Sequence, residues 1–450
     1  MLKGYTKEEK SWMMYDWANS AHSVIIVTLL PIFFDTVAGY TADSVSSMST
    51  WGYATSIAML IVALAAPFLG VFGDIRGMRK KLFSFFMLLG VAACAGMAFT
   101  PGMDFTSGPA AAGKVASLIL VLYIVSVIGF DASAIYYDAF LTDVTTEERM
   151  DKVSTMGYGL GYIGGSTIPL LIFLIMNLVG VPMLTCLAVV FGLTAVWWLA
   201  FSLPLLKNCE QTSGKPYEKG DVARSIKGVG TTIKEIIANK PMLIYILSYF
   251  FYIDGVHTVI SMATTYGTNL GLDSTGMMLA LLLVQILGLP FCLLYIKCSE
   301  KFGARTMVGF GICVYMFICI FAFFMNSLWQ FWVLAVLCAT SQGGIQALSR
   351  SMYGKLIPDK DRSGEFFGFF DIFGKFSSIM GPALVGVVSS VVANGMLGAQ
   401  GLTAQTATAE QIDAINAQSS HYGILSIIII IIVGAVLYFG FLPKAEHAKQ

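Results

Sequence analysis

Uninterrupted apolar runs recur from one end of this chain to the other, each about 20 residues long and able to cross a hydrocarbon layer of about 30 Å. Inside such a layer every backbone N–H and C=O must find its partner within the protein, which leaves helices or a closed barrel. The runs are continuous, without in–out alternation, and about twice as long as a barrel strand. The chain is therefore read as a polytopic helical membrane protein. Of its 450 residues 56% are hydrophobic and only 12% charged, too few charges to cover a soluble domain of this length. The expected fold class is all-α integral membrane, with twelve transmembrane helices in two pseudo-symmetric six-helix bundles.

The spans are read at 12–38, 51–73, 82–100, 115–141, 153–178, 181–205, 241–268, 275–297, 304–326, 328–353, 364–393 and 421–442. Lys and Arg gather on one side of them, as they do in cytoplasmic loops. Lys3, Lys7 and Lys10 precede the first span, Arg76, Arg79, Lys80 and Lys81 follow the second, and Arg149 and Lys152 follow the fourth. Of 27 basic residues only Lys114 falls in an outer loop, and Lys375 falls within a span, whereas Asp43, Asp104, Asp273, Glu410 and Asp413 sit outside. Both termini are expected in the cytoplasm. The domains expected are 1–205, a six-helix bundle; 206–240, a cytoplasmic central loop; and 241–450, a second bundle with its tail. In the loop, Val222, Ile226, Val229, Ile233 and Ile236 recur near helical spacing with Lys227, Lys234 and Lys240 beside them. That pattern suits a helix lying against the bundle or the inner headgroups. The segment 395–421 reads as a solvated outer loop with some helix.

A net charge of zero argues against a nucleic-acid partner. The eight cysteines show no zinc spacing, and Cys94, Cys186 and Cys313 lie in apolar runs, where a thiol serves as a small hydrophobe. The first apolar segment is too long, and too polar at its start, for a cleaved signal peptide. With no H-E-x-x-H cluster and no Walker loop, neither an enzyme, a metal nor a cofactor is expected.

The two halves repeat one another. "NSAHSVI" (19–25) matches "DGVHTVI" (254–260), and "GVFGDIRGMRK" (70–80) matches "IKCSEKFGART" (296–306). The second match pairs Asp74 with Glu300, Gly77 with Gly303 and Arg79 with Arg305, while Arg149 and Arg362 hold corresponding loops. Such repeats relate by an axis along the membrane normal.

Polar residues within the spans share helical faces at 100° per residue. Trp12, Asp16, Asn19, Ser20 and Ser23 form one stripe with His22 at its edge. Asp131 and Asp138 lie two turns apart, and Asp254, His257, Thr258 and Ser261 share a face. Gln342, Gln346, Ser349 and Tyr353 do likewise with Arg350 beside them, and Asp371 and Lys375 stand four residues apart. A charge near the midplane costs about 2.5–3.5 kcal/mol, so these faces are expected to line a water-filled path or meet a partner. Asp16 is either a helix-end carboxylate or a gate residue, and His22 and His257 either titrate or stay neutral. Asp131 and Asp254 either couple protons or form static ion pairs. Lys375 either pairs with Asp371 or holds a substrate carboxylate. Gly157, Gly161 and Gly165 suit close helix packing.

Gly70, Asp74, Gly77, Arg79 and Lys80 are spaced as in the signature loop between the second and third helices of the major facilitator superfamily, which "GVFGDIRGMRKKL" resembles. The resemblance implies that Asp74 faces the start of the eleventh helix, where a helix N-terminus favours an anion, and that these contacts lock an inner gate. It also implies a central cavity lined by the first, fourth, seventh and tenth helices. "YDWANSA", "ALSRSMYGKLIP" (347–358) and "EFFGFFDIFGKFSSIMGP" (365–382) resemble the vacuole-effluxer family over nearly the whole chain. Fungal vacuolar members of that family are associated with amino-acid export. The expected function is secondary active transport of a small polar or zwitterionic solute, an amino acid first, by alternating access with proton coupling. A receptor or lipid-handling protein on the same fold is the alternative. A monomer in a bacterial cytoplasmic membrane, with solute, protons and lipids as partners, completes the expectation.

Overall fold

The computed structural model describes residues 2–41, 47–216, 221–402 and 406–442. Asp43 and the tail from 443, assigned to loops above, lie outside the described residues, as do the side chains of 221–228. The helices are α1 Lys7–Ala38, α2 Ser47–Gly73, α3 Met78–Met97, α4 Pro109–Val144, α5 Glu147–Gly161, α6 Ile168–Leu178, α7 Met183–Asn208, α8 Asp221–Ala238, α9 Lys240–Asn269, α10 Ser274–Phe302, α11 Ala304–Phe323, α12 Leu328–Leu356, α13 Ser363–Ala399 and α14 Ala409–Val436. Among the described residues the regular structure is all helical, and 12 segments are long and apolar enough to cross a membrane. Exposed side chains such as Leu64, Val196 and Ile429 suit such a lipid-facing surface.

Local chemistry sets the ends. Thr6 and Glu9 make a capping box that starts α1 five residues before the first apolar run. Thr408 and Gln411 do the same for α14, so the last helix begins at Ala409 and not at 421. Helix thus enters the outer segment from both ends: α13 extends to Ala399 and α14 resumes at Ala409. The fifth span is interrupted by a π-turn, Tyr162–Thr167, which joins α5 to α6. Pro169 lies four residues beyond Gly165, whose carbonyl its ring would strike in a regular helix, and the wider turn relieves that clash.

Backbone proximity divides the chain into two compact units. Unit 1 is Met1–Thr231 with Ile357–Ile372, and unit 2 is Thr232–Leu356 with Phe373–Gln450. The first stretch of unit 1 ends at Thr231, and a short stretch from the far half of the chain is grouped with it. Helix α13 therefore contributes its first turns to unit 1 and the remainder to unit 2.

Unit 1 is built around α1. The indole of Trp12 donates to the Tyr137 carbonyl at 2.8 Å and stacks on the Tyr137 ring at 4.4 Å. On its other side α1 lies against the glycines of the fifth span. A Cβ at Gly161 would stand 2.5 Å from Ser20 Oγ, and one at Gly165 2.6 Å from the Ala21 nitrogen. In unit 2, α9 packs closely on α14. Gly255 abuts Ile431 of α14, and Ser248 Oγ donates to the Gly434 carbonyl at 2.8 Å.

Candidate functional site

The loop between α2 and α3 is the most highly bonded polar cluster of unit 1. α2 ends at Gly73, and Gly77 adopts a φ of 79°, a left-handed turn open to glycine. That turn carries Arg79 back beneath the bundle, where it is fully buried. Asp74 Oδ1 accepts from Arg79 Nη2 at 2.9 Å and from the Gly364 N–H at 2.7 Å; Oδ2 accepts from the Glu365 N–H at 2.8 Å. Gly364 and Glu365 lie in the first turn of α13, whose free N–H groups and dipole favour an anion. The approach is close enough that a Cβ at Gly70 would collide with the Gly364 carbonyl.

Arg79 does more than face Asp74. Its guanidinium pairs with Asp143 at the end of α4 and donates to the Ala139 carbonyl at 3.2 Å, Ser213 Oγ at 3.1 Å and Ser363 Oγ at 2.9 Å. Asp143 Oδ1 in turn accepts from the Thr212 and Ser213 hydroxyls at 2.9 and 2.7 Å. The Gln211 side chain accepts from the Gly77 N–H at 2.9 Å and donates to the Gly73 carbonyl at 2.9 Å. The start of the central loop is therefore a fitted part of the cluster, clasped to Ile75 by a short bridge at Lys215. Asp143, Gln211, Ser213 and Ser363 were not singled out from the sequence. The one available signal was Asp143, a carboxylate closing an apolar helix on the side where the bases gather.

The corresponding loop of unit 2 is built differently. Glu300 is exposed, and Arg305 Nη2 donates to the Leu442 carbonyl at 2.7 Å, tying the end of the last span. Lys80 is half-buried beside Arg79. A second ionic cluster in unit 1 joins Arg149 to Glu9, with contacts of 2.7 Å to both carboxylate oxygens.

The polar faces sort by unit. In unit 1, Asp16 (7% exposed) packs its carboxylate on Gly157 of α5. Asn19 lies beside Tyr15. His22 is enclosed, its Nε2 lying 3.2 Å from Ser126 Oγ and its ring stacked on Phe130 at 4.7 Å, with Trp198 at 5.3 Å. Asp131 is buried in the same unit, Asp138 is half-buried, and Asp371 is the next-to-last residue of its α13 segment.

Unit 2 brings three of the expected residues together. His257 of α9 lies beside Gln346 of α12 and in the field of Lys375 of α13. Gln346 also donates to the Gln342 carbonyl at 3.2 Å, and Arg350 is buried one turn further along α12. One turn before His257, Asp254 is fully buried, and its Oδ1 accepts from the Gly381 N–H at 2.9 Å and from Thr258 Oγ1 at 3.3 Å. Among the described residues no group of three or more His, Cys, Asp or Glu is placed to hold a metal ion.

The helical architecture with this loop defines a transporter of the major facilitator type. The fold matches the proton:xylose symporter XylE bound to 6-bromo-6-deoxy-D-glucose, with a TM-score of 0.72 at 14% identity over 98% of this chain and 96% of that one. It matches the human organic anion transporter MFSD10 with a TM-score of 0.64 at 12% identity, over 96% and 99%. The chain belongs to the vacuole effluxer Atg22-like family, whose sequence profile matches residues 5–396. The uncharacterized MFS-type transporter YxiO of Bacillus subtilis (strain 168) is 40% identical over 99% of this chain and 96% of its own length. Autophagy-related protein 22-1 of Penicillium rubens is 25% identical over 53% of this chain, a match that spans 44% of the fungal protein.

Proposed function

We propose that this protein is a secondary active transporter of a small zwitterionic solute, with amino acids the first class to test, working by alternating access with proton coupling. The observation that carries the reading is the set His257, Gln346 and Lys375, one turn from the enclosed Asp254. An ammonium group can hold a carboxylate, an amide can orient an amine, and a buried carboxylate can carry a proton. The expected gate residues enter on the cytoplasmic side, where both termini are proposed to lie. In this reading the Asp74 contact with the first turn of α13 is the gate, and Arg79 with Asp143 holds Asp74 in place.

Proton movement in proteoliposomes, followed on addition of a panel of amino acids and other small zwitterions, tests the function directly. Flux with one class is expected; silence with every zwitterion in the panel would remove proton-coupled transport of this class, leaving uncoupled transport or other solutes, and would add weight to a receptor or lipid-handling role. In the active case, Asp131→Asn and Asp254→Asn are each expected to lose pH-driven accumulation by about tenfold or more while keeping solute counterflow. Normal accumulation in both variants would show that neither carboxylate couples.

The gate carries a pH dependence whose sign is fixed by linkage. Burial pushes the Asp74 carboxyl up to about 7, opposed by the Arg79 charge and the Glu365 and Gly364 N–H groups and aided by the Glu365 carboxylate. Undocked and hydrated, Asp74 returns toward its ordinary 3.8. The docked form then binds the proton more tightly, so docking is favoured as pH falls through about 7 and loses that advantage above it. Spin labels at Arg76 and Lys360 are expected to report a larger docked fraction at pH of about 5.5 than at about 8.5. Asp74→Asn should flatten the profile; a slope of opposite sign would refute the assignment.

A further inference from the structure

Helix α13 has 18% of its most apolar stretch buried among the described residues, against 61% for α9. Midway along it stands Gly381-Pro382. Proline has no N–H and its ring pushes away the carbonyl four residues earlier, which weakens a helix at that point. Here Asp254 of α9 meets the backbone, Oδ1 accepting from the Gly381 N–H at 2.9 Å. A Cβ at residue 381 would stand 2.5 Å from that same oxygen and would collide with Thr258 Oγ1. Oδ2 is enclosed with no hydrogen-bond partner among the described residues.

We infer that Asp254 is a positioning residue for α13: its carboxyl acceptor, fitted against Gly381, pins the proline-weakened middle of that helix to α9 within unit 2. The role rests on the acceptor oxygen, not on charge, and so differs from the coupling role proposed above for the same residue. It accounts for glycine at 381, since any side chain there would part the two helices. It also places Lys375, less than two turns earlier on α13, at a fixed height beside His257. When the pin lets go, Lys375 moves with the helix relative to His257.

Asparagine and valine at 254 separate acceptor from charge. Asp254→Asn keeps an oxygen for the Gly381 N–H and removes the ionisable proton; Asp254→Val keeps the approximate volume and removes the acceptor. Hydrogen exchange of the segment 377–386 in lipid nanodiscs is the readout, with the segment 307–319 of α11 as the control for folding of unit 2. Asp254→Asn is expected to exchange within about twofold of the parent, and Asp254→Val about tenfold faster, with α11 unchanged. Gly381→Ala, which leaves Asp254 intact and forces the contact apart, is expected to reproduce the valine pattern, and it decides the matter should valine disturb α11. Parental exchange in Asp254→Val with α11 intact, parental exchange in Gly381→Ala, or equal loss of protection in Asp254→Asn would overturn the pin. Because accumulation and exchange are read separately, loss of coupling in Asp254→Asn with exchange retained supports both roles, and retained coupling with retained exchange removes only the coupling role.

Discussion

Arg79→Ala is expected to destabilise unit 1 by about 3–5 kcal/mol, because it leaves the Asp74 and Asp143 carboxylates buried without their shared cation. The guanidinium serves five acceptors on four parts of the chain: Asp74, Ser363, Ala139, Asp143 and Ser213. Arg79→Lys should recover only a minor part, since an ammonium is a point charge that cannot span a fork of this width. Asp143→Asn should cost less than Arg79→Ala, because the amide oxygen can still accept from Thr212 and Ser213. Cys94 of α3, fully buried, is a native reporter. Its reaction with a thiol-reactive dye during denaturant unfolding should begin at markedly lower denaturant in Arg79→Ala. A loss below about 1 kcal/mol would mean that the cluster is solvated and that the network overstates its coupling.

Gly165→Val is expected to be the most damaging single substitution in the fifth span. The atoms that a Cβ would meet are backbone, the Ala21 nitrogen at 2.6 Å and the Trp17 carbonyl at 2.7 Å, so no side chain can rotate away. α1 would have to leave its seat, and overpacking of this kind costs about 1–3 kcal/mol or more. The indole of Trp197, which donates to that Trp17 carbonyl at 3.0 Å, would be displaced with it. The control is Gly113→Ala in α4, where nothing lies within 4 Å. There the lower freedom of the unfolded chain should stabilise the protein by about 0.4–1 kcal/mol. Thermal unfolding in matched detergent, followed by tryptophan fluorescence, compares the two; a Gly165→Val midpoint equal to that of the parent would show that α1 does not rest on this ladder.

The spans and the signature loop could be read from the sequence because each rests on a local rule. Apolar length defines a span, and Gly70, Asp74, Gly77 and Arg79 are close in the chain. What completes the cluster is not local. Gln211 and Ser213 sit in a polar linker without periodicity, and Ser363 comes from almost 300 residues away, so no spacing rule connects them to Arg79. Helical spacing likewise tells which side chains share a face but not what covers it. The arc of Asn19 and His22 is covered in the structure by Tyr15, Ser126, Phe130 and Trp198. The Asp254 contact with Gly381 was hidden for another reason: its partner is a backbone N–H, which carries no residue signature. The early start of α14 was legible in principle, since Thr408 and Gln411 have capping-box spacing, but the apolar run begins later and drew the boundary with it.

The assignment of Ile357–Ile372 to unit 1 has a consequence for how the chain is made. A ribosome that has released everything up to Thr231 has supplied the Asp74–Arg79–Asp143 cluster without Ser363 or the Gly364 and Glu365 N–H groups that complete it. At roughly 5–20 residues per second, those groups follow on the order of ten seconds later. Until then the first half of the nascent protein sits in the membrane with an incompletely paired ionic cluster. A gene truncated before residue 357 would leave it in that condition permanently, open to the quality-control proteases that recognise half-made membrane proteins.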